Sequence, residues 1–336
     1  MKTTLGGRSR HAAAAALFAV VAIGVTACSS DTAEGGDSGA KASCERTYTI
    51  AFSHPTGEVA AVKAVKSAVE ERAEANGCVN LLLDNTVDSN LETQRRALES
   101  WVTQKVDAIV VWPVDAAAVE GIREQAQAQG IKWLTYASSI PEEDGAVGFD
   151  NEIAGQEMAE LLKSWIEENY PDKNIKAAVT TATALPSISG RSDYPLAMLD
   201  ELGIEVVSQQ DCVAQDCGLQ IAEDVLRQYP DDLKIFVGMN DDAGTGALRA
   251  LLNAGVDMDG FFVAGYDGTE EALISLRDDA GYTASSAIPL RELGYSIIDN
   301  SIAAITGEGD PSSLTPMTLL TAEDKDQIND LLALFE

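Results

Sequence analysis

The protein has 336 residues, 46% of them hydrophobic, enough for two cores where one typical domain needs about 100–200 residues. Its formal charge is −31 at pH 7, a field that repels phosphate backbones and excludes nucleic acid as a partner. His54 is the one histidine after the first eleven residues, which argues against His-rich metal or catalytic chemistry.

The sequence opens on Lys2, Arg8 and Arg10, followed by an apolar run from Ala12 to Val25. That run is shorter than the ~20 residues needed to span a bilayer and reads as a signal-peptide core. It ends in Val25-Thr26-Ala27-Cys28, which resembles a bacterial lipobox. The resemblance implies cleavage after residue 27 and a diacylglycerol on Cys28, anchoring an extracytoplasmic protein to the bacterial cell membrane. Loss of residues 1–27 removes three basic and no acidic side chains, taking −31 to −34. Residues 29–43 carry no large apolar side chain and read, with Cys28 and Cys44, as a tether reaching roughly 20 Å.

Tyr48–Phe52 reads as a strand. A helix over 58–76 follows, with Val59, Val62, Val65 and Val69 spaced by three or four and a stop at Gly77. Val79–Leu83 is a strand and Glu92–Gln104 a helix with Leu98, Trp101 and Val102 on one side. Ala108–Trp112 is a continuous apolar run, as expected of a strand buried on both faces. A helix over 116–129 and strands at Ile131–Tyr136 and Ala146–Phe149 complete the first set. The alternation then begins again. Helices are expected over 153–168, 192–201, 218–228 and 243–253, and strands over 177–181, 205–209, 235–238 and 262–265. The remainder contains proline-bearing segments near Pro289, Pro311 and Pro316. Repeated strand–helix units imply parallel strands with right-handed crossovers, and two sets imply two doubly wound α/β lobes.

Beyond Cys28 stand Cys44, Cys78, Cys212 and Cys217, an even number in an oxidising compartment. Cys44 and Cys78 precede two strands that are often neighbours in a doubly wound sheet, and Cys212 and Cys217 could close a surface loop; two disulfides are expected. A metal site is the weaker alternative, because no C-x-x-C occurs.

Several segments resemble the ribose-type periplasmic binding proteins. They are Ile109–Asp115, Val147-Gly148-Phe149-Asp150-Asn151 with Gly155, and Arg191 in Gly-Arg-Ser-Asp. Met239-Asn240-Asp241-Asp242-Ala243 and Val263-Ala264-Gly265-Tyr266-Asp267-Gly268-Thr269 join them. The likeness runs over roughly residues 46 to 320. It implies two lobes joined by three hinge crossovers, placed near residues 150–151, 287–289 and 310–311. The first lobe would then be 45–150 plus 288–310, and the second 151–287 plus 311–336. It further implies a monomer that closes over a small polar solute, a sugar or polyol, and docks on an ABC transporter permease, with no cofactor.

Ligands of open α/β sheets sit beyond the carboxyl ends of the strands. Candidate ligand-binding residues there are Ser53, His54, Trp112, Tyr136, Ser138, Phe149, Arg191, Asn240 and Asp267. Arg, Asn and Asp can pair with vicinal hydroxyls, and an aromatic face can cover the C–H side of a sugar ring. Each has a structural alternative: Asp267 and Asn240 as turn or cap residues, Arg191 as a surface ion pair, Trp112 as a plug, His54 as a turn residue. The ribose type carries an Asp-Arg pair where this sequence has Ala137-Ser138, phenylalanines in place of part of Thr56-Gly57-Glu58-Val59, and Gln where Ala287 stands, so ribose itself is disfavoured. No G-x-S-x-G or phosphate fingerprint supports an enzyme, although a cleft hydrolase built on paired carboxylates is not eliminated by counting. A lactose-repressor-type regulator would need a basic DNA-reading domain where the acidic tether stands. A sensory receptor of the same fold is the other open alternative.

Overall fold

A computed structural model describes residues 44–57, 60–84, 86, 89–137, 140 and 142–335. The leader, Cys28, the tether and Ser138 lie outside the described residues. The first set comprises β1 (Tyr48–Ser53), α1 (Ala60–Asn76), β2 (Val79–Leu83), α2 (Leu91–Gln104), β3 (Ala108–Val111), α3 (Ala116–Ala128), β4 (Lys132–Tyr136) and β5 (Gly145–Asp150). The second begins with α4 (Asn151–Asn169), β6 (Lys176–Thr181), α5 (Gly190–Leu202), β7 (Glu205–Asp211), α6 (Gln215–Gln228) and β8 (Leu233–Val237). It continues with α7 (Asp241–Asn253), β9 (Phe262–Asp267), α8 (Glu270–Arg277) and β10 (Ala284–Ala287). Last come α9 (Leu290–Thr306), β11 (Ser312–Pro316), β12 (Thr318–Thr321) and α10 (Lys325–Leu332).

These form two six-stranded sheets, β11-β5-β4-β3-β1-β2 and β12-β10-β9-β8-β6-β7. All pairings are parallel except β10 with β12. Alternation along each strand explains the layers. Ile50, Phe52, Val110 and Leu134 pack beneath α1 and α9, whereas Ala51, Ile109, Val111 and Trp133 pack beneath α2 and α3. The second sheet repeats this. Ala177, Val179, Ile235 and Val237 meet α4 and α5, and Ala178, Phe236 and Val263 meet α6 and α7. Between α4 and α5 the backbones touch, since a Cβ on Gly155 would lie 2.0 Å from the Gly190 carbonyl oxygen. Cys44–Cys78 ties the entries of β1 and β2 with Cα atoms 5.6 Å apart, and Cys212–Cys217 closes a loop at 5.8 Å.

The backbone passes between the sheets after Asp150, after Ala287 and at Met317. The third passage corrects the expected crossover at 310–311. Ser312–Pro316 runs parallel to β5, with Ser312 opposite Ala146 and Pro316 opposite Asp150, so it belongs to the first lobe. It is an edge strand with no buried residue, and its alternating exposure carries no apolar signal. Met317 is already buried in the second lobe's core.

Candidate functional site

The carboxyl ends of both sheets converge at the passages between them. Phe149, at the end of β5, packs on the cores of both lobes, as does Ile288 beyond β10. The second lobe supplies a polar group at this junction. Arg191, in the first turn of α5, is 3% exposed. Its Nε donates to Asn151 Oδ1 at 2.7 Å, and its Nη1 donates to Asp267 Oδ1 at 2.8 Å and to the Met239 carbonyl at 3.4 Å. The guanidinium lies between the rings of Phe149 and Tyr266, 5.6 and 5.3 Å from their centroids. Tyr266 Oη donates back to the Arg191 carbonyl at 2.7 Å. Arg191 is therefore a buried, fixed cation and not a surface ion pair.

Asp267 closes β9 with φ +110°, a conformation that few side-chain-bearing residues adopt. Its side chain is 30% exposed, and among the described residues no hydrogen bond reaches Oδ2. One carboxylate oxygen is thus anchored and the other is open to a hydroxyl donor. Asn240 caps α7: Oδ1 accepts from Ala243 N at 3.0 Å, and Nδ2 donates to the Val213 carbonyl at 3.0 Å. The structure gives it the capping job, leaving one N–H and one lone pair for anything else.

The first lobe offers an aromatic group at the ends of β1, β3 and β4. Trp112 is 36% exposed, with its ring centroid 5.0 Å from His54 and 6.1 Å from Tyr136. His54 and Tyr136 are buried and also edge onto Phe52. Thr56 N donates to His54 Nδ1 at 3.1 Å, so the neutral ring carries its proton on Nε2. Burial, helped by the charge of Lys66, pulls His54 down to about 3 and keeps it neutral. Burial raises the Tyr136 phenol well above its ordinary value.

Ser53 is fully buried. Its hydroxyl donates to Asp84 Oδ2 at 2.6 Å and accepts from Gln94 Nε2 at 3.0 Å. Gln94 also donates to the Trp112 carbonyl at 2.9 Å and accepts from Val114 N at 2.8 Å. Ser53 therefore works with Gln94 to fix the loop that presents Trp112, and offers no exposed surface to a solute. Sequence reasoning missed Gln94, Asp84 and Asn151. The buried Gln94 has no flag in a charged helix, and Asn151 stands inside a family-like segment with nothing to single it out. Phe149 and Asn151 line a small cavity of about 150 Å³ with Ala137, Val147 and Ser187.

Residues 50–309 match the sequence pattern of the periplasmic binding protein domain. The protein belongs to that family. The ribose import binding protein of Bacillus subtilis is 28% identical over 263 residues, covering 76% of this sequence and 80% of that protein. The xylitol-binding protein of Mycolicibacterium smegmatis is 22% identical over 320 residues, covering 94% and 86%. Among solved structures, the periplasmic ribose ABC transporter protein of Conexibacter woesei superposes with TM-score 0.74 at 19% identity, covering 85% of this protein and 95% of that one. A Bacillus halodurans ABC transporter solute-binding protein with bound myo-inositol gives 0.68 at 20% identity, covering 87% and 99%. These superpositions share the two-lobed α/β fold. As a periplasmic binding protein, it is a binder and not an enzyme.

Proposed function

We propose that this protein is the lipid-anchored solute receptor of an ABC importer, holding one neutral sugar or polyol between its lobes. The observation that carries this reading is the Asp267 carboxylate, anchored through Oδ1 by buried Arg191 and open at Oδ2. A carboxylate held that way accepts a hydroxyl proton in a charge-assisted hydrogen bond. Trp112, the exposed member of the aromatic group, supplies an apolar face for the C–H groups of a sugar ring or an acyclic polyol. Arg191 and the remaining amide capacity of Asn240 complete the polar side. Relatives named for ribose and xylitol, and a fold neighbour holding myo-inositol, point to the same class.

Neutrality follows from the charges. Arg191 already serves Asp267 and Asn151, His54 is uncharged, and the protein as a whole carries −31, so an anionic solute meets an opposing field. Lobe closure about the three passages would bring the two groups onto one guest. Cys28 would hold the mature protein at the membrane, beside the permease. A thermal-shift panel of D-ribose, D-xylose, xylitol, myo-inositol and D-gluconate tests the reading. A solute at about 100 times its Kd adds about 2.7 kcal/mol to the folded state. The expected result is stabilisation by at least one neutral member and none by gluconate; stabilisation by gluconate alone, or by nothing, contradicts it.

A further inference from the structure

Asp241, the first residue of α7, is fully buried and touches the turn that carries Asp267 without belonging to it. Its Oδ2 accepts from Thr269 N at 2.9 Å and from Ser285 Oγ at 2.8 Å. Ser285 Oγ itself accepts from Gly268 N at 3.2 Å. Oδ1 accepts from Tyr282 Oη at 3.0 Å. One carboxylate thus holds, directly and through one hydroxyl, the two backbone N–H groups that follow Asp267. The surroundings are shaped for this arrangement. A Cβ at Gly244 or Gly265 would stand 2.3 or 2.5 Å from the Tyr282 hydroxyl, so both glycines make room for it. Gly268, at φ +70°, leaves no room for a side chain against Ala287.

We infer that Asp241 is the positioning residue of the solute site: it holds the strained Asp267 turn in its binding geometry, and its ionisation tunes how firmly that turn is held. The inference deepens the binding reading above and rests on it only for the statement that Asp267 meets solute. A strained φ persists only where its surroundings over-determine it, and Asp241 supplies a large share of that determination. Hydrogen bonds to an ionised carboxylate are roughly twice as strong as those to a neutral one. The turn is therefore gripped harder when Asp241 is charged.

Burial first, and then the Asp267 carboxylate, push Asp241 up to about 7, against the pull of its three donors. Its charge thus changes in the neutral range. The other ionisable groups packed about it are Asp267 at the end of β9, Tyr282 before β10, Asp242 on its own helix, and Arg191 of α5, which pairs with Asp267. Glu271 of α8 acts on Asp242. Tyr282, raised far above its ordinary value by burial and by Asp241, stays protonated throughout.

Amide hydrogen exchange followed by NMR on the solute-free protein tests this, with Asp241→Asn and Asp241→Ala beside the native protein. In Asp241→Ala, Gly268 and Thr269 should exchange about tenfold faster or more, the loss of one or two hydrogen bonds, while the amides of β3 keep native rates. Asp241→Asn retains a neutral acceptor for Thr269 and Ser285 and should match native rates near about pH 5.5 but exchange faster than native protein near about pH 8. Corrected for intrinsic exchange, native protection at Gly268 and Thr269 should rise between about pH 5.5 and about pH 8 and stay flat in Asp241→Asn. Native rates at these two amides in Asp241→Ala, equal acceleration across both sheets, or the same pH response in Asp241→Asn would each overturn the inference. If Asp241→Ala does not fold, the Asn comparison decides alone. No solute enters the experiment, so a failed solute screen and a failed positioning role give separate results.

Discussion

Arg191 and His54 show how burial fixes the chemistry of a side group. Arg191 is enclosed with Asp267, Asn151 and two rings, so Arg191→Ala leaves Asp267 without its anchor and opens a void. A loss of about 2–4 kcal/mol in urea unfolding is expected, with solute binding abolished. Arg191→Lys cannot serve Asn151 and Asp267 together and should restore little of either. Trp112 is the contrasting case: at 36% exposure, Trp112→Ala should cost under about 1 kcal/mol of stability yet weaken solute binding about tenfold or more. His54 stays neutral in the fold down to about 3, against an ordinary 6.5. Between those values the unfolded state binds a proton that the folded one refuses, so stability falls as pH drops through that window. Asp241 acts in the opposite sense: between its ordinary 3.8 and about 7 the folded state holds the extra proton, so stability falls as pH rises there. Urea midpoints from about pH 4 to about pH 7 separate the two. The two windows overlap with opposite slopes, so His54→Gln should leave the midpoint falling as pH rises and Asp241→Asn should leave it rising.

At the scale of elements, legibility follows burial on two faces. Ala108–Val111, buried throughout, stands out as a continuous apolar run, and α1 and α2 before it carry a three-to-four apolar spacing. β10 reads Ala-Ser-Ser-Ala and lies wholly buried between β9 and β12. Small polar residues there make room for neighbours and leave no hydrophobic period to find. α8, α9 and α10 go unread with it, although Leu290, Leu293, Ile297 and Ile298 of α9 do carry helical spacing. β11 lacks any buried face, which is why the sequence places the third passage too early. Of the site, the residue types at strand ends are legible, whereas the buried hydrogen-bond work of Gln94, Ser53 and Asp241 is not, because it depends on atoms from elements far apart in sequence. The disulfides differ in what they constrain. Cys44–Cys78 spans 34 residues and Cys212–Cys217 only 5. Removing the first pair should cost about 2–4 kcal/mol and the second distinctly less, as the entropy removed from the unfolded state grows with loop length. Gly155→Ala would force α4 off α5 and should cost about 1–3 kcal/mol, measured in the same way.

For the whole molecule, the two sheets are separate cores with the passages at one edge and the polar and aromatic groups at their carboxyl ends. That arrangement is what lets a hinge-closing receptor trap a guest without covalent chemistry. The acidic surface repels anions and leaves neutral hydroxylated solutes as the class best matched to the Arg191–Asp267 pair. Anchoring is a separate matter from binding: Cys28→Ser should release the protein from the membrane fraction while leaving solute affinity unchanged. The decisive measurement is calorimetric titration of native protein and Asp267→Asn with the neutral solute that stabilises the native protein most. Asn keeps the shape and an acceptor for Arg191 but removes the charge that would meet the hydroxyl. A loss of affinity of about 10- to 100-fold, the worth of a charge-assisted hydrogen bond, is the expected result. An unchanged affinity would mean that solute is held elsewhere and that the Asp267 turn is not the site.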